Sequence, residues 1–298
     1  MWVKGNLHCH TTSSDGDSEP DEVCRYYADH GYDFLSITDH MAFVDPETVE
    51  SHGLLLVPGE ELHLSAEEDP DAPLHVNGFG LSKRVAADGS NTKAESIQNC
   101  IDAITADGGI AQINHPNFHY AFDHGTIEQT TDCALLEVYN GHPQVHNEGD
   151  DSHIGVERMW DHLLSSGRRF YATAVDDAHH FHGFGPERAN PRRGWIWARV
   201  SKLNVEEILG ALRGGDFYAS TGIEMEDVGT GGGVLRVVVR PQAGKTYKTR
   251  FIGNDGVTLL ESESCDSVFR LDGMGGSYVR AKVICSDGAC AWTQPVFV

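Results

Sequence analysis

Six short apolar runs between residues 2 and 175 each lead to a histidine or a carboxylate. The groups are His8 with His10, then His40, Glu61, His75, His115, and the pair Asp177 and His179. Each is flanked by loop-type residues, as in Asp39-His40-Met41 and His115-Pro116. One histidine at a strand end is usually satisfied by a backbone carbonyl. Six such ends are hard to explain as packing, because uncompensated polar groups facing one cavity are costly. The pattern predicts a fold that gathers these ends around one basin, and a polynuclear metal site inside it.

The spacing is plainest in Asn6-Leu-His-Cys-His-Thr-Thr-Ser-Ser-Asp15. Trp2, Val3 and Leu7 read as a first strand, on which side chains two apart share a face. His8 and His10 then stand side by side, and Cys9 points away from them. Asp15 follows a Thr/Ser-rich turn and can fold back with a hard oxygen ligand.

Further along, Ser18 reads as the cap of a helix with Pro20 in its first turn, stopping near Gly31. Strands are expected at 34–40, 54–57, 75–80, 110–114, 135–139 and 170–175, with helices near 46–52, 93–107, 155–166 and 204–213. In the second of these helices Ile97, Ile101 and Ile104 share a face. Strands alternating with helices imply parallel pairing with the helices outside. Seven such strands fit an incomplete (β/α) barrel, whose reactive groups collect at the strand C-terminal ends.

The composition changes near residue 222, where Gly229-Thr-Gly-Gly-Gly233 reads as a flexible joint. Alternating runs at 235–240, 247–252, 277–285 and 291–298 follow, with Asp-Gly turns at 254–256 and 286–288. These read as a small antiparallel sheet. The expected division is a barrel over 1–221 and a C-terminal β domain over 222–298.

A chain of 298 residues with 40% hydrophobic content can build one large domain and one small one. Its net charge of −23, from 45 acids against 22 bases, argues against nucleic-acid polymers and membrane surfaces as partners. A small anionic substrate is compatible if bound cations reverse the sign locally. Neither a long apolar stretch nor a basic-then-apolar leader is present, so a soluble, cytoplasmic protein is expected. Seven cysteines without a CxxC pair suggest reduced thiols. The oligomeric state is not legible.

The set His8-x-His10, Thr38-Asp-His40, Gly59-x-Glu61, His115-Pro116 and Asp177-x-His179 resembles the polymerase-and-histidinol-phosphatase (PHP) superfamily of metal-dependent phosphoesterases. The likeness runs from residue 1 to about residue 220. It implies an α/β fold, a distorted seven-stranded (β/α) barrel holding two or three Zn, Mn or Fe ions. By that likeness His8 and His10 hold a first ion together with Glu61 and Asp177. Glu61 bridges to a second held by His75 and His115, and Asp15, His40 and His179 hold the third. Some members carry a histidine where Asp15 stands. Glu60 adjoins Glu61, but alternation turns only one inward, and the Gly-x-Glu pattern favours Glu61. The chain also resembles a hydrolase branch that includes carbaryl hydrolases, through Leu136-Glu-Val-Tyr-Asn140, Trp160-Asp-x-Leu-Leu164, Val175-Asp-Asp-Ala-His179, Gly194-Trp195, Phe217-Tyr-Ala-Ser-Thr-Gly222 and the tail Ala291-Trp-x-x-Pro295.

Clustered divalent ions lower the pKa of bound water from about 15.7 towards 7 and clamp substrate oxygens. A donor set of N and O without thiolate suits Zn, Mn or Fe. The expected chemistry is in-line attack on phosphorus by hydroxide bridging the ions that share Glu61, with Asp177 and His179 beside it. Leaving-group protonation is expected from the neighbourhood of His179; His142 is a second candidate, although a loop histidine in water is the preferred reading for it. In the loop Pro191-Arg-Arg-Gly194, Arg193 or Arg192 is a candidate to grip an anionic group, since guanidinium matches oxyanions bidentately; a solvated loop pair is the alternative. Asp39 is expected to orient a neighbouring ligand. Three classes of function stay open: a phosphoesterase on a small phosphorylated substrate, a metallohydrolase of carboxyl or carbamate esters, and a non-catalytic metal-stabilised binding domain. The intact ligand set argues against the third.

Overall fold

The computed structural model describes residues 1–275 and 278–298. The first apolar run is β1 (Trp2–Asn6), followed by helix α1 (Pro20–Asp29). Pro20 opens α1, as its fixed φ favours, but the cap residue is Glu19 rather than Ser18. The Ser18 hydroxyl instead donates to Asp17 and lies 3.2 Å from His182 Nε2. The strand expected over 34–40 reduces to β2 (Phe34–Leu35), and the next to β3 (Leu55–Leu56). Both run parallel to β1. Between them the expected helix is one 3-10 turn, Pro46–Thr48, capped by Asp45.

The expectation of parallel pairing fails next. Strand β4 (Gly59–Ala66) and strand β5 (Asp69–Phe79) form an antiparallel hairpin, and β5 is antiparallel to β6 (Ile110–Ile113) as well. Only Glu67 and Glu68 separate β4 from β5, far too few residues for a crossover helix. Helix α2 (Lys93–Ala106) lies between β5 and β6 in the chain, with a capping box from Thr92 and Glu95. Its Ile97, Ile101 and Ile104 are fully buried, as the spacing requires.

A short helix α3 (His124–Ile127) precedes β7 (Leu135–Asn140); α4 (Val156–Ser165) precedes β8 (Tyr171–Val175). Here the pairing is parallel, β6 to β7 to β8. Strand β9 (Trp195–Arg199) pairs antiparallel with β1, and helix α5 (Val205–Gly214) ends at Gly215 with φ +72° before β10 (Phe217–Ser220).

In the C-terminal part, Gly229–Gly233 is a hairpin rather than a flexible joint. Strand β11 (Met225–Gly231) turns through Gly232 and Gly233, both at positive φ, into β12 (Val234–Val239). Then follow β13 (Tyr247–Ile252), β14 (Thr258–Ser262), β15 (Asp266–Arg270), β16 (Tyr278–Cys285), β17 (Cys290–Thr293) and β18 (Val296–Phe297). Ser277, the first residue of one expected run, lies outside the described residues. The two Asp-Gly turns join antiparallel neighbours, β13 to β14 and β16 to β17.

Among the described residues the architecture is mixed α/β, with five helices and three sheets. One sheet is β4-β5-β6-β7-β8, and a second is β11-β12-β15. The third runs β14-β13-β16-β17-β10-β9-β1-β2-β3 with β18 on β16, so it spans residue 222 without a break. Isolated parallel bridges, Cys9 to Ala178 and His40 to Glu61, stitch the first sheet to the third. These seams matter, because the candidate ligands sit on either side of them. The C-terminal part is anchored to α4 by Arg280, which is almost wholly buried and donates to both oxygens of Asp161 at 2.8 and 2.7 Å. All seven cysteines are unpaired, and none of the described helices is long and apolar enough to cross a membrane.

Candidate metal centre

Alternation carries on past the last residue of β1. His8 and His10 are both buried on one side of the chain, with their Nε2 atoms 3.1 Å apart. Cys9 turns the other way, its Sγ 3.6 Å from the Ser36 carbonyl. The seams bring two carboxylates to the same point. Glu61, the third residue of β4, places Oε2 3.1 Å from His8 Nε2 and 3.3 Å from His10 Nε2. Asp177, two residues beyond β8 and held at φ +50°, places Oδ1 3.2 and 3.1 Å from the same nitrogens.

These spacings test whether an ion fits. Four ligands at about 2.0–2.1 Å from a tetrahedral ion lie about 3.3–3.4 Å from one another, and an octahedral ion brings neighbours somewhat closer. Five of the six edges among these four atoms, 3.1 to 3.3 Å, fall in that range. Around this cluster, Glu61 Oε1 lies 3.1 Å from His75 Nδ1 and 3.5 Å from His115 Nε2. His40 Nδ1 lies 3.1 Å from Glu61 Oε2. Towards solvent, Asp15 reaches His179 Nε2 at 3.4 Å, His10 Nδ1 at 3.6 Å and His40 Nε2 at 3.7 Å. All nine candidate ligands thus converge on one basin.

Several of the converging atoms have no hydrogen bond although they are buried: Glu61 Oε2, His40 Nδ1, His115 Nδ1 and both ring nitrogens of His75. Buried polar atoms of this kind are rare unless water or an ion satisfies them. The electrostatics agree. Burial alone would raise the Glu61 and Asp177 carboxyls, yet the surrounding imidazoles hold both well below their ordinary values. Burial disfavours charge on His10, but contact with Asp177 and Glu61 raises it to about 9, so the basin attracts positive charge. His75, where burial dominates, is lowered to about 3 and stays neutral, with one ring nitrogen keeping its lone pair.

Behind the basin stands a carboxylate that the strand-end pattern does not single out. Glu137, in the middle of β7, is buried. Its Oε1 lies 2.6 Å from His8 Nδ1 and accepts from Gln112 at 3.0 Å. Its Oε2 accepts from the backbone N–H of His115 and the amide of Asn140. A carboxylate can only accept, so His8 carries its proton on Nδ1 and presents the Nε2 lone pair to the basin. A buried acid in an otherwise apolar strand, Leu135-Leu-Glu-Val138, is the signal in the sequence.

No family model matches the sequence, and no curated protein matches it. Among solved structures, the chain is similar to a two-domain protein from Bacteroides vulgatus containing a predicted PHP-like metal-dependent phosphoesterase. The two are 15% identical with a TM-score of 0.53, and the match covers 99% of this chain and 95% of the other. The chain shares the overall fold of that two-domain protein. A further similarity, at 16% identity and a TM-score of 0.43, is to an amidohydrolase from Chromobacterium violaceum with bound sulfate and no metal, covering 62% of this chain and 93% of that one.

Other expected residues take different places. Arg193 is a correction. Its two terminal amino groups donate to the carbonyls of Gly141 and Gly185, at 2.7 and 2.9 Å, so the guanidinium braces two loops instead of facing a substrate. Arg192 is exposed. His142 stands against His179 and Phe118, and burial lowers it to about 4; a neutral imidazole at pH 7 is no proton donor of the imidazolium kind. Asp39 accepts from Thr11 and Ser14 and thereby holds the loop that carries Asp15. Asp176 accepts from Tyr27 and from the N–H groups of Arg193 and Gly194, away from the basin. Glu60 points to the opposite face from Glu61 and accepts from the Val85 N–H.

Proposed function

We propose that the chain is a metal-dependent phosphoesterase acting on a small phosphorylated molecule, with two or three divalent ions of Zn, Mn or Fe. The observation that carries this reading is the contact of both His8 and His10 with Glu61 and with Asp177, five ligand-to-ligand spacings of 3.1 to 3.3 Å at atoms that are buried. The stitched sheets around the basin are read as the wall of a distorted barrel. His8, His10, Glu61 and Asp177 would hold one ion, and Glu61 with His75 and His115 a second. Asp15, His40 and His179 would hold a third. When bound, such ions supply Lewis acidity, activating water and neutralising phosphoryl oxygens. Glu137 keeps the His8 lone pair aimed inward, and Glu61, set against His40, His75 and His115 at once, ties the subsites together. Asp15 is half exposed, so the third subsite is the one that opens to a substrate.

A second reading is hydrolysis of carboxyl or carbamate esters. One observation favours it: among the described residues no lysine or arginine pairs with Glu61, Asp177 or Asp15, and Arg193 is occupied elsewhere. A substrate anion would then meet positive charge only from the ions themselves. The test is metal analysis of the purified protein alongside nitrophenyl phosphates, phosphodiesters and carboxyl esters. Turnover of a phosphorus ester supports the first reading. Turnover of a carboxyl ester alone replaces it with the second, and inertness towards all with metal bound leaves a binding domain.

A further inference from the structure

His63 belongs to none of the ligand groups above, and its position is dictated by the sheet. On β4 it lies two residues after Glu61, so the two share a face. In the hairpin it is paired directly with His75 on β5. Residues directly opposite on antiparallel strands hold their Cβ atoms about 4.5–5.5 Å apart. The two imidazoles are accordingly in contact, with ring centroids 4.2 Å apart. The seam bridge from His40 to Glu61 brings a third ring alongside, 5.4 Å from His63 and 5.0 Å from His75. One ring nitrogen from each of His40, His63 and His75 lies within 4.8 Å of the others. The independent observation is His75 itself: it is 5% exposed, and its Nδ1 and Nε2 both lack a hydrogen bond. An imidazole has two nitrogens that diverge, and Nδ1 of His75 faces Glu61 at 3.1 Å. With the hydrogen on Nδ1 towards Glu61, the Nε2 lone pair is left buried with nothing to accept, which is costly unless a cation takes it.

We propose that His63, with His75 and His40, forms a three-histidine divalent-cation site at the mouth of the basin. His63 is exposed, so this site opens directly to solvent. Its donor set differs from that of the deeper groups, which include carboxylates. Three imidazoles suit Zn, Co, Ni or Cu, whereas carboxylate-containing sets also accept the harder Mn. The mouth site therefore discriminates between metals that the deeper positions accept alike. It draws on His40 and His75, so a zinc ion at the mouth also controls how those two rings are shared with Glu61.

The test uses the full chain stripped with a chelator and titrated separately with zinc and manganese, the bound metal being counted per chain. Because the site shares His40 and His75 with the deeper positions, wild type is expected to bind zinc more tightly than His63→Ala, with equal manganese affinity in the two proteins. His63→Gln, which keeps the length and polarity of the side chain, should behave as His63→Ala does. His119→Ala, at another exposed histidine, should match wild type. Identical zinc uptake and affinity in wild type and both His63 variants, with circular dichroism showing all folded, overturns the site. The assay counts metal and not turnover. An inert protein with the tighter zinc binding would overturn the phosphoesterase reading alone, and unchanged zinc affinity with turnover would overturn this site alone.

Discussion

Nδ1 of His8 lies 2.6 Å from Oε1 of Glu137, and neither residue is exposed. The same carboxylate accepts the backbone N–H of His115, whose φ of +20° is an uncommon conformation for a residue with a side chain. One buried acid thus sets the tautomer of one ligand and the backbone of another, on two sides of Glu61. Glu137→Gln keeps the shape but must turn an NH2 group towards a site filled with donors. We expect metal affinity to fall about 10–100-fold, the usual consequence of losing a carboxylate behind a metal-bound histidine. Competition with a chromogenic chelator measures it, and an unchanged affinity would remove Glu137 from the argument.

Removing the ions should cost stability as well as turnover. Without them Glu61 and Asp177 meet in the same buried cluster of imidazoles, held together by protons instead. An ion at 100 times its dissociation constant stabilises the folded state by about 2.7 kcal/mol. Chelation should therefore lower the midpoint of thermal unfolding, and Asp177→Asn should shrink that shift while abolishing activity. Calorimetry with and without chelator decides it; equal shifts in wild type and variant would show that Asp177 holds no ion.

The convergence of the candidate residues was legible where it depends on local geometry. His8 and His10 need only strand alternation, which persists for four residues after β1 ends. Helix α2 was equally plain, since Ile97, Ile101 and Ile104 lie on one face whatever the rest does. What failed needed information from distant residues. Glu61 was read as the end of a parallel strand, but the two-residue turn at Glu67 and Glu68 makes a hairpin, and that same hairpin sets His63 against His75. Arg193 failed for a related reason: the carbonyls it bonds belong to Gly141 and Gly185, and nothing in its own loop announces them. The glycines at 229–233 suggested slack where a turn at positive φ was needed.

The strut between β16 and helix α4 invites a direct mutation. Arg280 donates two bonds to Asp161, lies 2.9 Å from Glu157 and sits over the Trp160 ring at 4.6 Å. Arg280→Ala leaves the buried Asp161 without its cation and Glu157 with Lys282 alone. Breaking such a pair by removing one partner costs about 3–5 kcal/mol. Denaturant unfolding should show a loss of that size. A change below about 1 kcal/mol, the range of surface ion pairs, would mean that water replaces the guanidinium without penalty.

Acid should undo the same junction in a defined window. Burial would raise the Glu157 carboxyl, but Arg280 and Lys282 outweigh it and bring the group from 4.5 down to about 2. A carboxyl whose value is depressed in the folded protein contributes stability fully above its unfolded value. That contribution fades as pH falls below about 4.5 and is gone once pH passes about 2. Glu157→Gln cannot titrate, so its stability should fall less steeply across that interval than that of wild type, though it starts lower at neutral pH. Denaturant midpoints measured at closely spaced pH values on the apo protein check this. Parallel curves for the two proteins between pH 4.5 and 2 would show that Glu157 is not held ionised by its neighbours.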